Sequence, residues 1–80
     1  MKVVLFGAGV AGKNILAQSK YEVAAVIDNN PEIQGKQLFG SPVISLDTYI
    51  KLYREYRILI STYRIDEIKE QLYQNGIFDF

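Results

Sequence analysis

Two short, wholly apolar runs constrain the fold of this chain more than any other feature. The first run covers residues 3–6 and ends at Gly7, and the second covers residues 23–27 and ends at Asp28. Apolar runs of four or five residues, rich in β-branched side chains, are typical of strands that are buried on both faces of a parallel sheet. The stretch between them has room for one short crossover helix, so the sequence predicts a βαβ unit of an α/β fold.

The other elements follow from turn residues and helical spacing. Ser45 is a predicted helix N-cap, and Asn75 followed by Gly76 predicts a helix end. The sequence between Asp28 and Pro42 is predicted to be a loop, and Pro42 itself indicates an edge strand. Predicted helices cover residues 11–20, 46–54 and 65–75, and predicted strands cover 3–6, 23–27, 42–44, 57–60 and 77–80.

The handedness of crossover connections predicts the topology. Right-handed crossovers with the strand order 3-2-1-4-5 place helix 11–20 alone on one face of a mostly parallel sheet. Helices 46–54 and 65–75 then lie together on the other face, which makes a three-layer fold. The first face is thinly covered over strands four and five, and we expect a second domain or a second copy of the chain to cover it.

Length and composition narrow the class of protein. Eighty residues are enough for one domain, and we expect residues 1–80 to form a single domain with one buried core. The chain has no Cys and no His, which removes thiol nucleophiles, disulfides and the usual zinc ligands. Nine basic residues balance nine acidic ones, which argues against a nucleic-acid or membrane-surface binder. The first apolar run is too short for a signal peptide or a membrane span, so a cytoplasmic protein is expected.

A glycine-rich turn follows the first predicted strand. Gly7 can supply a tight turn, Gly9 the close approach of a phosphate, and Gly12 close helix–strand packing. Asp28 follows Gly7 by 21 residues and closes the second strand, where a carboxylate can accept hydrogen bonds from both ribose hydroxyls. The same carboxylate repels a 2′-phosphate, so NADP is disfavoured. The alternative is a purely structural role, in which the glycines only permit a turn and Asp28 only begins a loop.

The same segment also comes close to a P-loop. Gly7, Gly12 and Lys13 have the Walker A spacing, but Asn14 stands where Ser or Thr should hold magnesium. P-loop enzymes also need a much longer chain, so this interpretation is disfavoured. Lys13 is instead expected to reach a phosphate from the first helical turn or to lie in solvent.

Polar residues follow the fourth predicted strand as well. Ligands of open parallel sheets bind outside the carboxyl ends of the strands at the switch point, here between strands one and four. Ser61, Thr62 and Tyr63 are placed there, although Thr62 could instead cap the next helix. The candidate binding residues are Gly7, Ala8, Gly9, Val10, Ala11, Gly12, Lys13, Asp28, Asn29, Ser61, Thr62 and Tyr63. No catalytic pair and no metal site stands out.

Three segments together resemble a known group of domains. The run from Val3 to Gly9, the segment 26–31 and the segment 40–44 are similar to the small Rossmann-like domains of bacterial sugar and polysaccharide biosynthesis proteins. Such domains precede acyltransferase domains that modify nucleotide sugars, and they are also similar to CoA-binding-like domains of sugar-nucleotide dehydratases. The resemblance covers nearly the whole chain. It implies that Gly7, Gly9, Gly12 and Asp28 line a nucleotide site.

Three functions are compatible with these features. The first is a module that binds a nucleotide sugar or NAD and serves a separate catalytic domain, such as a transferase, in polysaccharide synthesis. The second is the cofactor half of an NAD-dependent oxidoreductase. The third is a degenerate Rossmann domain used for protein–protein docking. The sequence does not decide whether the chain itself is an enzyme.

Overall fold

A computed structural model describes residues 2–9, 22–38 and 40–80. Its strands are β1 (Lys2–Phe6), β2 (Glu22–Ile27), β3 (Gln37–Leu38), β4 (Ser41–Ile44) and β5 (Arg57–Ile60). They form one sheet in the order β3-β4-β2-β1-β5. The pairs of β2 with β4, β1 with β2 and β1 with β5 are parallel, whereas β3 and β4 are antiparallel. The order predicted for the first four strands is therefore confirmed.

Two helical segments lie within the described residues. The first, α1, begins as Leu46–Thr48 and continues as a π-helical turn over Tyr49–Tyr53, and the second, α2, is Ile65–Gln74. The side chain of Ser45 accepts a hydrogen bond from the backbone N–H of Thr48 at 3.1 Å, as predicted for an N-cap. None of the described helices has the length and apolar character needed to cross a bilayer. The predicted helix 11–20 lies outside the described residues.

The end of α2 follows the predicted Asn75 and Gly76 signal. Gly76 has a φ of 73° and its N–H donates to the carbonyl of Tyr73, while the N–H of Ile77 donates to the carbonyl of Leu72. These two hydrogen bonds form a Schellman motif, and Ile77 is buried against the same core as Leu72. The motif satisfies helix carbonyls that would otherwise be unpaired.

The core is divided by the sheet into two clusters. One cluster combines alternate strand residues such as Val4 and Phe6 with Leu46, Tyr49 and Leu72 from the two helices. The prediction that helices 46–54 and 65–75 share one face is therefore confirmed. The opposite cluster contains Val3, Leu5, Ala8, Val26 and Val43, with the β5 residue Leu59 only partly buried beside it. A partner over Leu59 stays a prediction.

Two strand predictions were wrong at the sheet edges. Residues 77–80 do not form a strand, because Ile77 completes the Schellman motif and Asp79 forms an ion pair with Arg54 at 3.1 Å. At the other edge, part of the predicted loop pairs with β4, so the strand containing Pro42 is not the outermost one. Pro42 is tolerated because the β2–β4 ladder begins only at Val43.

The second predicted helix also differs in detail. The spacing of Leu46, Tyr49, Ile50 and Tyr53 predicted one apolar stripe on a regular α-helix. In the structure Tyr49 is fully buried and Ile50 is exposed. A π-helical turn closes a wider hydrogen-bonded ring than an α-helical turn, so the side chains after Tyr49 no longer follow the α-helical spacing.

Tyr49 gives a stability prediction for this core. Its hydroxyl donates to the backbone carbonyl of Tyr56 at 2.7 Å, and burial raises the pKa of Tyr49 above the ordinary value of 10.0, opposed in part by nearby Arg54. Tyr49→Phe should lower the free energy of unfolding by about 1–2 kcal/mol at neutral pH, since it removes a buried hydrogen bond.

The pH dependence follows from the direction of that pKa shift. A folded-state pKa above the unfolded value stabilises the fold fully below about pH 10, and the contribution is lost as pH rises through the folded pKa. Denaturant unfolding of the wild type should therefore show a stability loss above pH 10 that Tyr49→Phe reduces. Tyr63→Phe, at a position 87% exposed, is the control and should match the wild type. Equal alkaline curves for the wild type and Tyr49→Phe would contradict this account.

Candidate functional site

The carboxyl ends of three neighbouring strands meet at one edge of the sheet. Phe6, the last residue of β1, pairs with Ile27 of β2 on one side and with Ile60 of β5 on the other. Because these strands are parallel, the segments that follow them emerge together. Open α/β sheets bind ligands at a switch point of this kind. The binding residues predicted from the sequence follow these same strand ends.

Asp28 connects two of these segments through both of its carboxylate oxygens. The backbone N–H of Ala8 donates to Oδ2 at 3.0 Å, and the backbone N–H of Asn30 donates to Oδ1 at 2.9 Å. Gly7 continues the ladder, since its N–H donates to the carbonyl of Ile27 at 2.8 Å. The half-buried carboxylate thus fixes the beginning of the glycine turn relative to the end of β2.

Gly7 and Gly9 serve different purposes in this turn. Gly7 has a φ of 119°, and a Cβ placed on it would lie 2.9 Å from the Cβ of Thr62 and 3.1 Å from the carbonyl oxygen of Ser61. The close passage of the segment after β5 therefore requires glycine there. Among the residues that the structure describes, none lies within 4 Å of a Cβ placed on Gly9. These residues therefore leave the backbone of Gly9 accessible to a ligand.

Ser61 and Thr62 hold the third segment in place. The N–H of Ser61 donates to the carbonyl of Phe6 at 2.9 Å, and its buried hydroxyl lies within hydrogen-bond distance of the carbonyl oxygens of Phe6 and Gly7. Thr62 does not cap α2, because the N-cap position is Arg64. The Thr62 hydroxyl accepts a long hydrogen bond of 3.4 Å from the N–H of Arg64.

A cleft of about 220 Å³ lies between the three segments. It is lined by Phe6, Gly7, Gly9, Asp28, Asn29, Thr62, Arg64 and Ile68. Phe6 and Ile68 are buried, so the cleft combines apolar surface with a carboxylate, an amide, a hydroxyl and a guanidinium. Its volume is below the roughly 300–1,000 Å³ of pockets that enclose a drug-sized ligand. A cleft of this size can enclose only part of a larger ligand.

A reciprocal amide pair joins the loop after β2 to α2. Asn29 Nδ2 donates to Gln71 Oε1 at 2.9 Å, and Gln71 Nε2 donates to Asn29 Oδ1 at 3.0 Å. A second amide supports the same loop, since Gln34 Nε2 donates to the carbonyl of Asp28 at 2.7 Å. The loop after β2 is therefore held at both ends by side-chain hydrogen bonds.

The structure brings together most of the described candidates. Gly7, Gly9, Asp28, Asn29 and Thr62 line the cleft, and Ala8 contributes its N–H to Asp28. Ser61 lies behind the cleft, and Tyr63 is 87% exposed and does not line it. The candidates Val10, Ala11, Gly12 and Lys13 lie outside the described residues. In the ranges 2–9, 22–38 and 40–80, no three acidic side chains cluster as a metal site would need.

Three residues that line the cleft were not among the sequence candidates. Phe6 lies in the predicted strand 3–6 and Ile68 in the predicted helix 65–75, and both are buried in the core. Arg64 directly follows the predicted segment 61–63 and was left out. A signal was available, because Arg64 and Ile68 are four residues apart and share one face of the helix that begins at this edge.

A family description matches almost the whole chain. The model of the family described as "C2185-like, N-terminal" matches residues 1–79. The chain belongs to this family. No curated protein matches the chain in sequence.

Solved structures similar to this C2185-like N-terminal domain share its fold. UDP-D-quinovosamine 4-dehydrogenase from Vibrio fischeri is 24% identical, with a TM-score of 0.71 over 95% of this chain and 72% of that chain. A Rex-family repressor, RSP, is 17% identical, with a TM-score of 0.68 over 95% of this chain and 41% of its own. RSP has also been solved with NADH, and with NAD+ and operator DNA. These likenesses establish a Rossmann-like fold, and the chain spans less than half of the repressor.

The two glycines of the turn give a matched pair of variants. Gly7→Ala should lower the free energy of unfolding by about 1–3 kcal/mol or more, because it adds a Cβ at a positive φ and against Thr62. Gly9→Ala should change it by less than about 1 kcal/mol, since no described residue lies within 4 Å of the added Cβ. Denaturant unfolding of both variants measures the difference. Equal losses, or a stable Gly7→Ala protein, would contradict this interpretation of the turn.

Proposed function

We propose that this domain is a nucleotide-binding module whose cleft holds the ribose–phosphate part of NAD or of a nucleotide sugar. The observation that carries the proposal is the position of Asp28, whose carboxylate is tied to the glycine turn and lines the cleft. An ionised carboxylate offers about four acceptor sites on its two oxygens. Backbone N–H groups occupy one site on each oxygen, which leaves acceptors for the two hydroxyls of a ribose.

The glycine turn supplies the second half of the proposed site. No described residue crowds Gly9, so a phosphate can approach its backbone closely on that side. Val10, Ala11, Gly12 and Lys13 continue this turn, and their part in phosphate binding stays a prediction. A ligand with a 2′-phosphate would place that group against Asp28, so NADP should bind more weakly than NAD.

The similar proteins are consistent with this class of ligand. One neighbour is an enzyme of a UDP-sugar and another has been solved with NADH, so both ligand types occur on this fold. Together with the resemblance of residues 26–31 and 40–44, they support a role in sugar or polysaccharide synthesis. The described part of the chain shows no nucleophile beside a general base. Catalysis is therefore assigned to a separate domain, such as a transferase.

A calorimetric ligand series tests the proposal. We expect binding of NAD, UDP or a UDP-sugar by the wild type, and weaker binding of NADP. Asp28→Asn should weaken binding about 10–100-fold, because a charge-assisted hydrogen bond to the ribose is lost. The same variant should narrow the difference between NAD and NADP, since it also removes the repulsion.

The control variant is Glu22→Gln, which removes one carboxylate at the opposite end of the same strand. It should bind as the wild type does. Thermal unfolding of Asp28→Asn verifies that the variant is folded. If no nucleotide binds at millimolar concentration, the module proposal is wrong and a docking role remains. If NAD and NADP bind equally and Asp28→Asn has no effect, Asp28 is not in the site.

A further inference from the structure

Arg64 is a charged residue of the cleft that the proposed ribose contacts leave unused. It lies where the segment after β5 enters α2, and it lines the same 220 Å³ cleft as Asp28 and Gly9. Its side chain is exposed, so the fold does not depend on burying it. Its positive charge is available to a group of opposite charge in the cleft.

No acidic side chain neutralises Arg64. All nine acidic residues of the chain lie within the described ranges. Among those residues the one ion pair is that between Arg54 and Asp79. Asp66 and Glu67, which follow Arg64 in the first turn of α2, do not pair with it. The guanidinium therefore stands in a cleft, permanently charged and without an acidic partner.

Among the described residues that line the cleft, Asp28 and Arg64 are charged, and together they indicate a ligand of mixed character. Asp28 accepts hydrogen bonds and repels anions, whereas Arg64 donates hydrogen bonds and attracts anions. A 5′-nucleotide matches both requirements, since its ribose hydroxyls are donors and its phosphates are anionic. Resting on the proposed function, we infer that Arg64 binds the phosphates of the nucleotide while Asp28 binds the ribose.

The chemistry of arginine fits this assignment better than a general electrostatic role. The planar guanidinium can form two parallel hydrogen bonds to a phosphate, and such charge-assisted bonds are about twice as strong as neutral ones. The backbone N–H groups of the glycine turn are neutral, whereas Arg64 carries a full positive charge. Arg64 therefore selects nucleoside diphosphates over nucleosides, and it is a specificity-determining residue of the site.

The test compares Arg64→Gln with the wild type on two pairs of ligands, ADP with adenosine and UDP with uridine. Calorimetry measures the diphosphates, and NMR titration measures the weakly binding nucleosides. Arg64→Gln should weaken the better diphosphate at least about tenfold and leave its nucleoside unchanged. It should also reduce the salt dependence of diphosphate binding. Arg64→Lys should recover part of the loss, because it restores the charge without the planar fork.

Arg57→Gln is the matched control, because it removes the same charge from the opposite end of β5. It should leave all four affinities unchanged. Equal losses for a diphosphate and its nucleoside would overturn the inference, since Arg64 would then contact the base or ribose. An unchanged diphosphate affinity would overturn it as well. In either case the proposed function stands if the wild type binds nucleotide, whereas both fall if the wild type binds none.

Discussion

The hydrogen bond from the Ala8 N–H to the Asp28 carboxylate is the interaction on which the rest of the site depends. It joins the segments that follow β1 and β2, two neighbouring inner strands of the sheet. The second oxygen of the carboxylate accepts the N–H of Asn30, and the backbone carbonyl of Asp28 accepts a hydrogen bond from Gln34. One residue thus fixes the glycine turn and the loop after β2 in a single arrangement before any ligand arrives.

Residues around this interaction divide into those the fold needs and those it leaves available. Glycine is required at position 7 because Thr62 packs directly against it. The hydroxyl of Ser61 is already hydrogen-bonded to the carbonyl of Phe6 at the end of β1. Gly9 meets no neighbour among the described residues, and Arg64 has no acidic partner. Available groups of this kind are where a ligand can add interactions without breaking existing ones. Gly9 follows β1 and Arg64 lies in the segment after β5, so both lie to the same side of Asp28, which follows β2. The phosphates are therefore assigned to this part of the cleft.

The central sheet was predictable from the sequence because its strands are apolar throughout and short. The apolar runs 3–6 and 23–27 predicted two strands. Gly7 and Asp28, which follow these runs, predicted the candidate site at the carboxyl ends of the strands. The errors lie where tertiary contacts decide the conformation. Residues 77–80 read as a strand, but Ile77 is held by the Schellman motif and Asp79 by Arg54. Likewise, the spacing after Leu46 could not show a π-helical turn. The apolar spacing that predicts helix 65–75 did not indicate that Ile68 also lines the cleft.

The central claim is that a nucleotide binds at the carboxyl ends of β1, β2 and β5. The most direct measurement is a titration of the ¹⁵N-labelled protein with UDP or NAD, followed through the backbone amide signals. The account predicts saturable shifts of the Ala8, Gly9 and Asn30 amides, which adjoin the Asp28 carboxylate or the open side of the turn. Saturating ligand that leaves these three signals in place, or that shifts chiefly the opposite strand ends at Lys2, Glu22 and Arg57, would contradict it.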